Sequence, residues 1–377
     1  MINFLRKIIK PKYNTLNKIE INQAKIISNY NFLKSLQNTS QIFPVLKSNA
    51  YGHGLKEMCQ ILNKTDAPMV VVDSFPEAQI AYRYFRGKIL ILGEMPLGVY
   101  KYAKLSRTEF VVYNSETLKH ISRFGKQAHI HLFVNSGMNR EGIKDLSLFI
   151  KENKQYLDKV EISGLCSHLA SADNEDSALN KEQEYLFMDD LEILKAAGYF
   201  PRWVHLGNSA AIFSLNNKLL TAYRPGLALY GYSPKNAKAF KEELEPAFQV
   251  YSQIVSIQNL KKGDSVSYNE EYRAEDDVSV AVIPFGYFEG LDTRLSNVAE
   301  FLIENKMGNY FSPVTGRICM NLSCLEIKVT AKIGDKVKIV SEEQNDPNSI
   351  INLSKLMDTI PYELLVKFQA NIRREIV

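Results

Sequence analysis

The chain has 377 residues, of which 45% are hydrophobic and 23% are charged, a balance typical of soluble globular proteins. This length is sufficient for a large barrel and a second domain. The formal net charge of +4 is small, and the chain has neither a basic stripe nor a known binding motif, so we predict no nucleic-acid partner.

The N-terminal segment up to Lys12 is basic and partly apolar. Its apolar pieces are too short for a signal-peptide core or a membrane span. We interpret this segment as a leader rather than an anchor, and we expect a cytoplasmic protein with no membrane contact.

Regular structure is predicted to begin with a short strand near Ile19–Asn22 and a helix that continues to Lys34. Eight apolar, β-branched runs follow: 43–46, 69–72, 89–92, 110–113, 129–134, 160–166, 203–206 and 219–223. Helical patterns lie between them: 76–84, 97–105, 115–122, 145–155 and 177–197. This alternation predicts an α/β fold, an N-terminal (β/α)8 TIM-type barrel. An open doubly wound sheet is the alternative, but the chain lacks the G-x-G-x-x-G motif that would support its dinucleotide site.

The pattern changes after the charged stretch Pro234–Glu245. Short alternating segments replace the helical periodicity at 248–257, 278–284, 327–329 and 336–340, and Gly-Asp pairs at Gly263 and Gly334 indicate tight turns. We therefore predict two domains, a cofactor-binding barrel over residues 1–244 and a mainly β domain over residues 245–377.

Cysteine and histidine usage gives no sign of a metal. The four cysteines form no C-x-x-C pair, so we expect reduced thiols. His129 and His131 alternate along one predicted strand, but no cysteine or acidic cluster accompanies them. We expect histidines that belong to the core or line the barrel, and no metal.

Lys47 follows the first predicted barrel strand and precedes a polar loop with two glycines. Desolvation at a strand end can make a lysine amine available as a nucleophile or Schiff-base partner, although such a lysine can also extend to solvent. Further polar clusters follow the fifth to eighth strands, at 136–140, at His168, at 208–209 and at 224–227. A barrel presents such residues together at the carboxyl ends of its strands.

The segment LKSNAYGHG, which contains Lys47, resembles the cofactor-lysine motif of alanine racemases, and the resemblance covers most of the chain. It implies pyridoxal 5'-phosphate carried by Lys47. It places Tyr51 near the phosphate, His168 (CSHLASAD) against the ring and Arg224 (YRPGLALYG) at the pyridine nitrogen. Asn208 and Ser209 (HLGNSAA) would help to hold the cofactor. The phosphate would be bound by Ser209, Gly226, Leu227 and Tyr362.

The same resemblance extends into the second domain. Tyr268 (SVSYNEEY) matches the second catalytic base, and Tyr287 (FGYFEG) matches a residue at the entrance of the site. Met320 (GRICMN) would offer its backbone amide to the substrate carboxylate, which Arg140 also approaches. Since the second base of this family comes from the partner chain, the resemblance implies a homodimer with shared active sites.

Several positions depart from the family pattern. Phe133 stands where a carbamylated lysine is common. Asn135, Glu289 and Asn321 each stand where an aspartate is usual, and Asn139 stands where a glycine is usual. These changes bear on how Arg140 is oriented and leave the pair Lys47 and Tyr268 intact.

The predicted activity is the interconversion of L- and D-alanine by Lys47 and Tyr268, supplying D-alanine for the cell wall. A broader amino-acid racemase remains open. A barrel-type amino-acid decarboxylase is the nearest other enzyme, but the chain lacks a glycine-rich phosphate loop. A non-catalytic pyridoxal-phosphate carrier would be a single barrel, which the residues beyond Glu245 argue against.

Overall fold

The computed structural model describes residues 14–174, 176–240 and 242–377, and the predicted leader lies outside these ranges. The chain divides into two compact units. One unit comprises Asn22–Ala247 with Ile376, and the other comprises residues 14–21 together with Phe248–Glu375 and Val377. Among the described residues, no helix combines the length and the apolar character needed to cross a membrane.

The first unit alternates strands and helices. In chain order it contains α1 (Gln23–Leu36), β2 (Gln41–Ile42), α2 (Leu55–Leu62), β3 (Met69–Val72), α3 (Phe75–Tyr84), β4 (Lys88–Ile91), β5 (Thr108–Val112), α4 (Ser115–Ile121), β6 (His129–Phe133), α5 (Leu146–Leu157), β7 (Glu161–Cys166), α6 (Ala178–Ala196), β8 (Trp203–His205), α7 (Ala211–Ser214) and β9 (Ala222–Tyr223). Side-chain oxygens of Asn22, Asn114 and Asp145 accept hydrogen bonds at the starts of α1, α4 and α5, as N-cap residues do.

Eight strands close into a ring. Strands β3 to β8 form a sheet in sequential order, and β2 pairs with β9, with every pairing parallel. Backbone hydrogen bonds join the two groups, from Leu46 to Val71 at 2.7 Å and from Thr221 to Val204 at 2.9 Å. The predicted (β/α)8 barrel is confirmed, and the open doubly wound alternative is excluded.

The barrel interior is filled by side chains from successive strands. Its buried residues are Phe43, Val45, Met69, Val71, Leu90, Val111, Phe133, Cys166, Trp203 and Ala222. Packing of this kind makes a barrel a solid core rather than a pore. The chemistry is therefore confined to the loops at the ends of the strands and to the few polar side chains inside.

The second unit is mainly β, as predicted. Its six-stranded sheet has the order β14 (Tyr310–Pro313), β13 (Glu300–Glu304), β16 (Lys336–Val340), β10 (Phe248–Gln253), β1 (Lys18–Ile21) and β17 (Arg373–Ile376). A three-stranded antiparallel sheet contains β11 (Ser256–Leu260), β12 (Val278–Ile283) and β15 (Ser323–Ile327). Two helices follow, α8 (Ile350–Leu356) and α9 (Pro361–Lys367).

Two features of this unit differ from the sequence expectation. Strand β1 falls within the predicted barrel domain, 1–244, but it pairs with β10 through Ile19 opposite Val250, and the boundaries between the units in the chain follow Ile21 and Ala247. The single run predicted over 248–257 forms β10 and β11, which belong to different sheets. Gly263 and Gly334 both have φ of +93°, consistent with the turns predicted there.

Candidate active site

Lys47 opens a left-handed turn at the end of the first barrel strand. The four residues after it, Ser48 to Tyr51, have φ between 52° and 55°. L-residues other than glycine rarely adopt this conformation, which costs about 1 kcal/mol or more per residue. Strain of this size persists where the surrounding structure imposes it, and such strain concentrates at functional sites.

Polar contacts hold the turn in this conformation. The Asn49 side chain accepts a hydrogen bond from the amide of Leu55 at 2.9 Å. Glu77 accepts from the amides of Asn49 at 3.3 Å and Asp73 at 2.9 Å, and so ties the turn to the next strand–helix connection. Apart from Asn49, the residues of the turn have no left-handed preference, which explains why the sequence predicts only an ordinary loop.

Tyr51, Ser209 and Gly226 come together at the barrel end. The Ser209 hydroxyl oxygen accepts from the amides of Gly226 at 2.9 Å and Ala228 at 3.2 Å. A Cβ atom on Gly226 would lie 2.6 Å from the Tyr51 hydroxyl oxygen, so only glycine fits beside this tyrosine. Leu227 begins a short 3-10 helix immediately afterwards. The hydroxyls of Tyr51 and Ser209 thus lie next to the start of this 3-10 helix. Such a set of donors is suited to binding a phosphate group.

Asn208 has a different local role from its neighbour. Its side-chain oxygen accepts from the amides of Ala210 at 3.0 Å and Ala211 at 3.2 Å. It therefore stabilises the start of α7, which begins two residues after Ser209. The cofactor contact expected for Asn208 stays a prediction.

Arg224 is buried, with 6% of its surface exposed, and is held by several acceptors. Its guanidinium donates to the carbonyl of Ser167 at 2.6 Å and to the carbonyl of His205 at 2.6 Å. It also contacts Nδ1 of His205 at 2.5 Å and, more weakly, Nδ1 of His168 at 3.5 Å. The barrel thus holds the Arg224 cation at the site and fixes the orientation of its guanidinium.

The pKa of His168 is lowered to about 3 by burial and by the positive charges of Arg224, Arg140 and Lys47. The imidazole is therefore neutral at physiological pH. A neutral aromatic ring beside a cation suits stacking against a planar group, which is the role that the sequence implied for His168.

Arg140 lies on an exposed loop and pairs with its neighbour. Its Nε and Nη2 atoms donate to the two carboxylate oxygens of Glu141 at 2.7 and 2.5 Å. Phe133 supplies no charge and instead packs in the barrel core, where its ring lies 5.0 Å from that of Tyr113. Glu141 therefore provides the anionic partner that Phe133 cannot, a role that sequence analysis missed.

Asn135 and Asn139, both departures from the family pattern, organise the loop that leads to Arg140. The side-chain oxygen of Asn135 accepts from the amides of Gly137 at 3.1 Å and Asn139 at 3.0 Å. Its amide nitrogen donates to the side chain of Asn139 at 3.1 Å. Asn139 has φ of 56°, and asparagine is one of the few residues that accept a left-handed conformation where glycine is usual.

In the second unit, Tyr268 and Met320 are on exposed segments that contact each other through neighbouring residues. Tyr268 is 65% and Met320 is 55% exposed. The hydroxyl of Ser267 donates to the carbonyl of Arg317 at 2.5 Å and contacts the sulfur of Cys319 at 3.3 Å. These bonds fix the start of the Tyr268 turn against the strand connection that leads to Met320.

Tyr287 lies beside the Met320 segment, because its amide donates to the carbonyl of Cys319 at 3.0 Å. The two remaining family departures, Glu289 and Asn321, form a hydrogen bond with each other at 3.0 Å. The changes are therefore complementary. Tyr362 lies in the first turn of α9 and is 37% exposed.

A closed (β/α)8 barrel with a strained lysine turn and a buried arginine, accompanied by a mainly β unit, defines a two-unit barrel enzyme. The model of the alanine racemase N-terminal domain matches residues 21–234, and that of the C-terminal domain matches residues 247–376. The chain belongs to the alanine racemase family and is an isomerase.

Individual relatives agree with this assignment. "Alanine racemase 2" of Caldanaerobacter subterraneus subsp. tengcongensis is 30% identical over 367 residues, covering 95% of this chain and 94% of the relative. The alanine racemase of Borreliella burgdorferi is 33% identical over 359 residues, covering 92% and 93%.

Solved structures show the same fold. The alanine racemase of Clostridium difficile 630 superimposes with a TM-score of 0.87 at 27% identity, covering 97% of each chain. That of Bacillus anthracis, solved with bound L-Ala-P, has a TM-score of 0.86 at 26% identity and covers 97% of this chain and 96% of that one.

Proposed function

We propose that this chain binds pyridoxal 5'-phosphate on Lys47 and interconverts L- and D-alanine, with Lys47 and Tyr268 as the two bases, and so supplies D-alanine in the cytoplasm. The resemblance to alanine racemases implies this cofactor, and the alanine racemase of Bartonella henselae was solved with covalently bound pyridoxal phosphate. The observation that carries the proposal is the grouping of Tyr51, Ser209 and Gly226 at the same barrel end as the strained turn that begins at Lys47.

The residues present fit this cofactor. A phosphate dianion requires several donors and close backbone approach, and a Cβ on Gly226 would fill the space beside the Tyr51 hydroxyl. Arg224 has donors only, because a guanidinium has no acceptor atom. It would therefore face the ring nitrogen as a donor and disfavour a proton on that nitrogen. Neutral His168, adjacent to Arg224, would stack on the ring.

When bound, pyridoxal phosphate acts as an electron sink that makes the Cα proton of an amino acid acidic. Inversion at Cα needs one group that removes the proton from one face and another that delivers a proton to the opposite face. The Lys47 amine and the Tyr268 hydroxyl can each act as a general base or acid. Arg140 would bind the substrate carboxylate by charge-assisted hydrogen bonds, together with the backbone amide of Met320.

A homodimer with shared active sites is part of the proposal. Lys47 and Tyr268 belong to different units of the chain, and the family resemblance takes the second base from the partner chain. Large apolar side chains are exposed on the segment that follows Cys319, which contacts Ser267, and on the segment that bonds to Cys319, namely Tyr287, Phe288, Met320 and Leu322. Exposed apolar groups of this kind are typical of protein–protein contacts.

The test is to incubate the purified protein, supplied with pyridoxal phosphate, separately with L-alanine and D-alanine and to follow optical rotation. Loss of rotation from both enantiomers supports the proposal. Release of carbon dioxide would identify a decarboxylase instead, and no change with either enantiomer would leave a carrier. A panel of other small amino acids in the same assay defines the substrate range.

A further inference from the structure

A continuous chain of hydrogen bonds runs inward from Arg224. The Nη1 atom of Arg224 lies 2.5 Å from Nδ1 of His205, and Nε2 of His205 lies 2.7 Å from Nδ1 of His131. Nε2 of His131 lies 2.7 Å from one carboxylate oxygen of Glu109, and the other oxygen accepts from Lys88 at 2.7 Å. Five side chains from separate strands or strand ends are thereby connected.

This chain of hydrogen bonds crosses the barrel interior. Arg224 follows the carboxyl end of β9, whereas Lys88 is the first residue of β4, so the two ends lie at opposite ends of the strands. His131 and His205 are completely buried and Glu109 is 1% exposed. Of the five side chains, that of Lys88 is the most exposed, at 41%, whereas Arg224 is 6% exposed.

The barrel is shaped around these groups. A Cβ atom on Gly164 would lie 2.3 Å from Nδ1 of His131, so the imidazole occupies space that only glycine leaves. The pairing of β6 with β7 shifts register between Ile130 and His131. Burying two imidazoles and a carboxylate is costly unless every polar atom is paired, and here each end of every group has a partner.

The two ends of the chain determine where the protons lie. Arg224 can only donate, so Nδ1 of His205 accepts and its Nε2 carries the proton. That proton is donated to Nδ1 of His131, whose own Nε2 proton is donated to Glu109. Because an ionised carboxylate only accepts hydrogen bonds, this series of donors ends at Glu109. Both histidines are thus neutral Nε2-protonated tautomers, and every bond points from Arg224 toward Glu109.

The charges agree with this arrangement. Burial acts to raise the pKa of Glu109, but the hydrogen bonds from His131 and Lys88 and the charge of Lys88 outweigh it and lower the pKa to about 2. Burial, followed by the charge of Arg224, lowers the pKa of His205 well below its usual value. The chain of hydrogen bonds cannot relay protons, because Arg224 has no acceptor atom and the donors and acceptors therefore cannot exchange roles. It serves as a fixed polar support.

We propose that Glu109 is a positioning residue for the cofactor site, which acts through His131 and His205 to hold Arg224 as a donor at the cofactor ring nitrogen. The position of the ring nitrogen rests on the proposed function, whereas the hydrogen-bond chain does not. Without an acceptor at residue 109, the His131 proton can move to Nδ1. His205 would then face a donor at Nδ1, from Arg224, and a donor at Nε2, from His131. A neutral imidazole accepts at only one nitrogen, so Arg224 would lose its fixed orientation.

The experiment compares the wild type with Glu109→Leu, which removes charge and acceptor, and Glu109→Gln, which keeps the shape and one acceptor. The control is Thr108→Val, the preceding residue of β5, which is 1% exposed and bonds to Tyr82 rather than to this chain. Readouts are the 15N imidazole shifts of the purified protein, the visible absorption spectrum of bound pyridoxal phosphate, kcat and KM for alanine, and Tm.

We expect wild-type His131 and His205 to give 15N shifts of the Nε2-protonated form. Glu109→Leu should mix the tautomers of the two histidines and alter the absorption spectrum of the cofactor. It should lower kcat about tenfold or more, as the loss of a residue that orients a metal ligand typically does, and change KM less than about twofold. Glu109→Gln should show the same changes in smaller degree. Thr108→Val should lower Tm alone.

Wild-type 15N shifts of another tautomer or of a protonated imidazole would overturn the proposal. It would equally be overturned if both Glu109 variants behaved like Thr108→Val, losing Tm with an unchanged spectrum and unchanged kcat. Failure of the proposed function looks different, because the wild type would then neither racemise alanine nor bind the cofactor. In that case the wild-type and Glu109→Leu imidazole shifts still decide whether Glu109 orders the chain.

Discussion

Arg140 forms a bidentate ion pair with the adjacent Glu141. Arg140 is exposed and Glu141 half-buried, and the pair replaces the orientation that a charged side chain at position 133 would give. The pKa of the guanidinium is raised chiefly by the hydrogen bonds to Glu141, consistent with a charged and aligned donor. Because exposed ion pairs are worth about 0 to 1 kcal/mol, the effect on substrate binding should be modest and measurable.

Replacing Glu141 with glutamine should therefore raise KM for alanine by up to about fivefold and leave kcat nearly unchanged, since one partner of an exposed pair is worth at most about 1 kcal/mol. Steady-state kinetics with both enantiomers measures this. Asp158→Asn, which breaks the exposed Lys154–Asp158 pair at the opposite end of α5 from the Arg140 loop, is the control and should leave KM unchanged. An unaltered KM in Glu141→Gln would show that Arg140 is oriented without its neighbour.

Ser209→Ala should weaken the binding of pyridoxal phosphate about tenfold to a hundredfold, because a hydrogen bond to a charged group contributes about 1.5 to 3 kcal/mol. The dissociation constant is measured by titrating cofactor-free protein and following absorbance. Ser122→Ala is the control, since that buried hydroxyl donates only to the Lys119 carbonyl in its own helix region. Equal dissociation constants for Ser209→Ala and the wild type would remove Ser209 from the phosphate site.

Asp190 on α6 predicts a pH-dependent stability. Burial, followed by the charges of Asp189 and Asp145, raises its pKa to about 7, compared with about 3.9 in an unfolded chain. Between these two values the unfolded chain binds fewer protons than the folded one. The free energy of unfolding therefore falls as pH rises from about 4 to 7.

Asp190→Asn should remove this part of the pH dependence. At pH 8 the variant should unfold a few degrees above the wild type, as expected for about 1 kcal/mol, while at pH 4 the two Tm values should agree. Thermal unfolding across this pH range makes the comparison. A wild-type advantage at pH 8 would mean that Asp190 is ionised in a favourable setting.

The barrel could be predicted from sequence because its strands are continuous apolar runs that alternate with helical patterns. Lys47, His168, Ser209 and Arg224 follow such runs, and the structure places each at a strand end. Their hydrogen-bond partners could not be predicted in the same way, because those contacts join residues far apart in the chain.

Glu109, His131 and His205 illustrate this limit. His131 and His205 lie inside predicted apolar strand runs and Glu109 immediately precedes one, which is the one signal that the sequence offers. Which of them face the barrel interior depends on register, and the register shift at His131 cannot be read from an alternating pattern. The assignment of Lys18–Ile21 to the second unit was missed for a similar reason, since its partner β10 lies more than two hundred residues away along the chain.

The shared active site predicts complementation between two inactive variants. Lys47→Ala and Tyr268→Phe should each be nearly inactive alone. In a two-fold dimer that contains one chain of each, one site carries both lesions and the other carries neither. With random exchange roughly half of the dimers are mixed, so activity should recover to about a quarter of wild type. Confirmed mixed dimers without recovery would mean that both residues of a site come from one chain.

The attachment of the cofactor to Lys47 tests the central claim most directly. The protein is loaded with pyridoxal phosphate, reduced with borohydride and digested, and the peptide that carries the pyridoxyl group is identified by mass spectrometry. We predict a single modified residue, Lys47, and no stable modification in Lys47→Ala. A pyridoxyl group on a different lysine of the wild type, or none at all, would contradict the assignment of this site.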